Sequence, residues 1–193
     1  MFNAAVWLDT VKKEIGDDLD LNWRNFSLQQ INAQNPEDRK VWDEEDYTET
    51  RSLLAAIAGE AAKRQGKEAF NNFFLSLLTE RHGGNRAPLN DNAVFLKIAG
   101  ESGLDTLQFD QDLKDPELVK IIADDHTEAT EIHGAFGTPT FVFNNGQSAY
   151  IKTFIPPENE ALKAFEHFLG LFSQRSYIGE VKRPQPPWPK GAV

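Results

Sequence analysis

Apolar residues recur every three to four positions through most of this chain, and that period marks helices. Ala4, Val6-Trp7-Leu8, Val11 and Ile15 share one stripe, which predicts a helix over residues 3–15 closed by Gly16. Leu19, Leu21 and Trp23 then alternate with Asp20, Asn22 and Arg24, which predicts a strand over residues 19–26. A polar loop over residues 32–40 leads into a helical block. Residues 48–64 carry Leu53, Leu54, Ile57 and Ala61 on one face, and residues 67–81 carry Phe70, Phe73, Phe74, Leu77 and Leu78. After a loop over residues 83–88, Asn90 or Asp91 is placed to cap a helix reaching Gly100. Asp115-Pro116-Glu117 opens the last helix of the block, which runs toward Gly134.

The pattern changes at residues 134–143, "GAFGTPTFVF". Proline fixes φ and donates no ladder hydrogen bond, so Pro139 belongs at the first residue of a strand, at an edge or at a bulge. Thr140, Phe141, Val142 and Phe143 are strand formers, and Asn144-Asn145-Gly146 supplies the turn of a hairpin. The return strand is predicted over residues 149–155. Pro156-Pro157-Glu158 opens a closing helix that ends near Phe172, and residues 181–193 form an extended, proline-rich tail. The order is helix, strand, about four helices, strand, strand, helix, with no fixed-period repeat. An isolated hairpin is marginal in water, so residues 19–26 are expected to join its sheet.

The formal charge of -10 disfavours nucleic acid and anionic membrane surfaces as partners. No run approaches the roughly 20 apolar residues of a membrane span, and the first 18 residues read as an amphipathic helix rather than a signal peptide. A cytoplasmic location is the expectation. The 193 residues include no cysteine, so they hold no disulfide, no thiolate metal site and no cysteine nucleophile.

Other chemistry is sparse. His126 and His133 lie seven apart with Asp125, Glu128 and Glu131 nearby, either sharing a metal-binding face or standing as ordinary surface histidines; no metal site is assigned. His82 stands at a helix C-terminus, where a cation is mildly favoured. The acidic run at residues 43–46 complements the dipole of the helix that follows it. The Phe-rich stripe over residues 70–78 reads as core. Ser27 and Ser52 show no partner base for a hydrolytic triad.

Three stretches carry a family resemblance. "VWLDTVKKEIGDDLDLNWRNFSLQQIN" resembles the first helix and second strand of the DsbA-like branch of the thioredoxin superfamily, "FGTPTFVFNNG" its cis-proline loop, and "YIGEVKRPQPPW" the tail of a subgroup that includes mycothiol-dependent nitroreductases. The resemblance implies a thioredoxin-like α/β fold with a helical insertion: residues 1–35 and 134–180 as the core, 36–133 as the insertion, 181–193 as the tail. It implies a thiol-dependent oxidoreductase acting on a protein disulfide or, with mycothiol or glutathione, on a small electrophile. Thr138 and Pro139 would hold the substrate, and Phe2 or Trp7 would line the cleft beside Pro139, unless Trp7 packs on the sheet instead. Family members begin with a strand and a cysteine motif at the start of the helix occupied here by residues 3–15. That motif would fall at or before Met1, so the nucleophile is absent and the residues as given are expected to be inactive. Of two accounts, a start downstream of the natural one is favoured over natural loss, because losing that strand would unpair buried backbone. Two alternatives stand beside the oxidoreductase: a glutathione-dependent isomerase of the 2-hydroxychromene-2-carboxylate type, which uses serine, and a non-catalytic binding module.

Overall fold

In the computed structural model, residues 1–33, 35–44 and 51–182 are described. The acidic residues at 45 and 46, the expected helix start at Thr48 and the proline-rich residues from 183 onward lie outside them. The chain divides into two compact units: residues 1–23 together with the chain from Ala129 onward, and Arg24–Glu128.

The first unit is α/β. Helix α1 (Phe2–Ile15) ends where Gly16 takes φ 59°, a conformation that any side chain would strain. Its Trp7, Leu8 and Val11 are buried with Leu19, Ala149, Ala161, Phe165 and Phe168 in one apolar cluster. Strand β1 (Thr140–Val142) pairs antiparallel with β2 (Ser148–Tyr150), Phe141 opposite Ala149. The closing helix, α8 (Ala161–Phe172), is preceded by a short 3-10 turn (Glu158–Glu160) that starts after Pro157. Phe141 and Phe143 face it, their ring centroids 4.8 and 5.8 Å from that of Phe168. Alternating strand residues thus put Phe141 and Phe143 on the helical layer and leave Val142 on the other face, 47 % exposed.

The second unit is helical: α2 (Leu28–Ile31), α3 (Arg51–Lys63), α4 (Lys67–His82), α5 (Asn92–Glu101), α6 (Thr106–Asp112) and the larger part of α7 (Glu117–Glu131). Helices α3 and α4 pack together, α4 on α5, α5 on α6, and α6 back on α3. The predicted stripes are the buried ones: Leu53, Ile57 and Ala61 on α3, Phe70, Phe73 and Leu77 on α4. Asp91 caps α5 by accepting from the Ala93 N–H at 2.8 Å.

The strand predicted over residues 19–26 is not a strand. Leu19 is extended, at φ -104° and ψ 104°, but the segment joins no ladder and the sheet among the described residues has two strands. Alternation of side chains gives extended backbone two faces, whereas a strand also needs a neighbour at hydrogen-bonding distance. Toward its end the segment bonds to helix side chains instead: the Asn25 N–H donates to Asp125 at 2.8 Å and the Ser27 N–H to His126 Nδ1 at 3.1 Å.

Candidate functional site

The loop leading into β1 is built from tight local constraints. Gly134 turns the chain at φ 63°, and the Ala135 N–H returns to the Ala129 carbonyl at 2.8 Å. Gly137 is buried, and a Cβ there would stand 3.2 Å from the Tyr150 ring, closer than most such contacts, so glycine is what lets that ring lie over the loop. Phe136 stacks obliquely on Tyr150, with centroids 4.8 Å apart, yet remains 66 % exposed. The Thr140 hydroxyl donates to the Gly137 carbonyl at 2.8 Å, closing the turn around Thr138 and Pro139. The Thr138–Pro139 peptide bond is cis. Pro139 is buried and Thr138 half-buried.

Two hydrogen bonds bring this loop to the start of α1. The Ile151 N–H reaches the Pro139 carbonyl at 3.4 Å, and two residues further on the Thr153 carbonyl accepts from the Asn3 side chain at 3.0 Å. The segment after β2 therefore joins Pro139 on one side to the first turn of α1 on the other. That first turn holds no acidic side chain, so the positive end of the helix dipole is uncompensated there. Phe2, half-buried, is its first residue.

Of the four residues predicted to hold substrate, Thr138, Pro139 and Phe2 fall in this neighbourhood. Trp7 does not line it. Its ring is 2 % exposed, edge-on to Phe165 and Phe168, and its Nε1 donates to the Ala161 carbonyl at 2.9 Å. One turn and a half beyond Phe2, the helix has rotated Trp7 onto the α8 side, where its indole N–H finds a buried acceptor. Asn3 was not singled out from the sequence; a lone polar residue one position into a helix gives no signal that it reaches across to Thr153.

In the helical unit, His126 is a core residue. It is 5 % exposed, lies between the Phe26 and Trp42 rings (centroids 4.9 and 5.4 Å), and accepts the Ser27 N–H through Nδ1. Burial, and secondarily the charge of Lys40, holds it below the ordinary histidine pKa. The Ser27 hydroxyl is occupied as the cap of α2, accepting from the Gln30 N–H at 3.1 Å, so serine and histidine meet through backbone and not as nucleophile and base. Asp125, 5 % exposed, is met by the Arg24 Nε at 2.5 Å and by both nitrogens of Asn25, whose amide also reaches Glu60 at 2.6 Å. Lys63 pairs with Glu60 at 2.6 Å. Arg24, Glu60, Lys63 and Asp125 border an open cleft of about 360 Å³ with Ile121 and Asp124. Its buried carboxylates are matched by cations and amides, as folding of a charged cluster requires. Among the described residues no three His, Asp or Glu side chains are grouped to hold a metal ion.

An α/β hairpin-and-helix unit, with a proline loop set against the N-terminus of its first helix, defines a thioredoxin-type protein, and a family model described as thioredoxin matches residues 8–157. The chain belongs to the thioredoxin family. It is 25% identical over 187 residues to the uncharacterized protein Rv2286c of Mycobacterium tuberculosis (strain ATCC 25618 / H37Rv), covering 96% of this chain and 77% of that one. It is 33% identical over 110 residues to the ClpXP adapter protein SpxH of Bacillus subtilis (strain 168). That match covers 57% of this chain and 36% of the adapter. No helix among the described residues is long and apolar enough to cross a membrane.

Proposed function

We propose that these residues supply the substrate-holding half of a DsbA-like thiol-dependent oxidoreductase site, with Thr138 and Pro139 as the holding edge and the N-terminus of α1 as the place where a thiolate is stabilised. The observation that carries the reading is the pair of bonds, Ile151 to Pro139 and Asn3 to Thr153, that seat the proline loop beside an uncompensated helix N-terminus. A thiol at such a position has a lowered pKa and becomes the attacking species at neutral pH. The 193 residues contain no thiol, so they hold and orient but do not attack. The nucleophile comes from outside them, whether a protein cysteine or a low-molecular-weight thiol such as mycothiol or glutathione; the electrophile is a protein disulfide or a small molecule.

A second reading is a non-catalytic binding module that uses the same loop to hold a protein partner. The absence of cysteine and the similarity to an adapter protein favour it.

Installing a thiol separates the two. Phe2→Cys and Lys67→Cys each place cysteine at the first residue of a helix, α1 and α4, but only the first lies beside Pro139. The unsubstituted chain is expected to give insulin reduction no faster than a protein-free blank. The oxidoreductase reading requires Phe2→Cys to form a mixed disulfide with a model peptide disulfide about tenfold faster than Lys67→Cys, from a lower thiol pKa and a held substrate. Equal rates would leave the binding module as the surviving reading.

A further inference from the structure

The cleft beside Asp125 lies wholly within the helical unit, and its charges do not cancel. Arg24 is bonded to Asp125 and Glu128, both at 2.5 Å, and Lys63 to Glu60 at 2.6 Å. Asp124 lines the same cleft. Four carboxylates, Glu60, Asp124, Asp125 and Glu128, thus stand against two cations, Arg24 and Lys63, and these groups together keep an excess of two negative charges.

Two of the carboxylates keep acceptor capacity. Glu60 is 6 % exposed, and the Asn25 amide and the Lys63 ammonium both fall on its Oε1, at 2.6 Å each, so its Oε2 has no partner among the described residues. The unpartnered side-chain oxygens that are sealed from solvent are Ser102 Oγ and Asp112 Oδ2. Glu60 Oε2 is therefore reached from outside, and the cleft is the opening that Glu60 lines. Asp124, exposed on the rim, likewise makes no hydrogen bond or ion pair among the described residues, whereas both oxygens of Asp125 are taken. Ile121 stands one turn before Asp124 and Asp125 on the same face of α7 and gives the cleft an apolar wall.

We propose that this cleft binds a small aliphatic diamine, one ammonium donating to Glu60 Oε2, the other to the Asp124 carboxylate, and the methylene chain lying along Ile121. An ammonium has three donors and no acceptor, so it suits carboxylate oxygens that lack other partners. Two such charges match the excess of two. A metal ion is a poorer fit, because among the described residues no three His, Asp or Glu side chains are grouped to hold one. A planar guanidinium is also poorer, since its fork takes both oxygens of one carboxylate and Glu60 offers one. Glu60 supplies the buried contact, strengthened where water is displaced, and Asp124 the weaker exposed one. The assignment is independent of the loop at Pro139 and of any thiol chemistry there.

Calorimetric titration of the whole chain with putrescine, a four-carbon diamine, tests it, read together with amide NMR shifts. Saturable binding at one site is expected, with the shifts centred on residues 60–63 and 121–125. Butylamine, which has one ammonium, should bind about fivefold more weakly, and tetramethylammonium, a cation without N–H donors, should not bind. Asp124→Asn, at an exposed side chain that makes no bond, keeps the fold and should weaken putrescine by about fivefold while leaving butylamine unchanged. Glu60→Gln should weaken both amines by about tenfold or more. Asp18→Asn removes the same charge from an exposed acid in the other unit and should change neither. Absence of saturable binding, or putrescine binding no tighter than butylamine, overturns the proposal. Equal losses from Asp124→Asn and Asp18→Asn also overturn it, by reducing the effect to the general attraction of cations to a chain of charge -10.

Discussion

His126 shows how one side chain can set a pH limit on a unit. Its Nδ1 accepts the Ser27 N–H, which the protonated ring, a donor at both nitrogens, cannot do. Burial and the charge of Lys40 lower its pKa in the folded state. Above the unfolded pKa of about 6.5 both states are neutral there and stability does not depend on this group. As pH falls through about 6.5, the unfolded chain takes up a proton that the folded one refuses, and stability declines until the folded pKa is passed. Urea midpoints should therefore be flat from pH 8 to 7 and fall from pH 6.5 downward. His126→Asn, whose carbonyl can still accept the Ser27 N–H, should flatten that fall; an unchanged slope would assign it to other groups. From the sequence, a histidine among Asp125, Glu128 and Glu131 looked like a surface residue, because its own helix shows only acids. The rings that bury it, Phe26 and Trp42, come from positions about a hundred and about eighty residues away. Trp7 shows the same limit. Helical spacing placed it on the apolar stripe, but which neighbour covered that stripe depended on Ala161 and Phe165.

At the level of elements, the long helices were legible because their stripes are strong and their buried residues are the predicted ones. Helix α6 was not. Thr106–Asp112 offers only Phe109 as a buried apolar residue, and its one other apolar residue, Leu107, stands two positions before it and is exposed, so no helical stripe forms. What holds it is its cap: the Asp105 carboxylate accepts from the Leu107 and Gln108 N–H groups at 2.9 and 3.1 Å. Asp105→Ala should cost about 1 kcal/mol, lowering the melting temperature by roughly 2 to 4 °C in a chain of this size; calorimetry measures it, and no shift would mean that packing alone sets the helix. The hairpin was legible from its turn residues, though β2 is Ser148–Tyr150 rather than residues 149–155. The segment over residues 19–26 failed as a strand for a reason no local pattern carries. Side-chain alternation records two faces, and pairing is a property of whatever lies alongside.

For the whole molecule, the thioredoxin family was legible from the order of elements and from the Gly-Thr-Pro loop, while the seating of that loop was not, since it depends on Asn3 and Thr153, 150 residues apart. The helical unit, Arg24–Glu128, is one continuous stretch with its own core of Phe73, Phe95, Phe109, Leu118 and Ile122. Produced alone as residues 24–128, it should show a helical circular-dichroism spectrum and a cooperative thermal transition. A spectrum without helical minima would show that its core needs the remaining residues. The other unit has no such freedom, and the bond from Trp7 to Ala161 explains why. Its partners are 154 residues apart. A ribosome adding roughly 5 to 20 residues per second releases α1 on the order of ten seconds before the helix that covers it. Throughout that interval Trp7, Leu8 and Val11 lie bare while the helical unit can already close. Helix α1 is thus made before the helical unit and buried after it, and during synthesis its stripe is a surface in need of a chaperone.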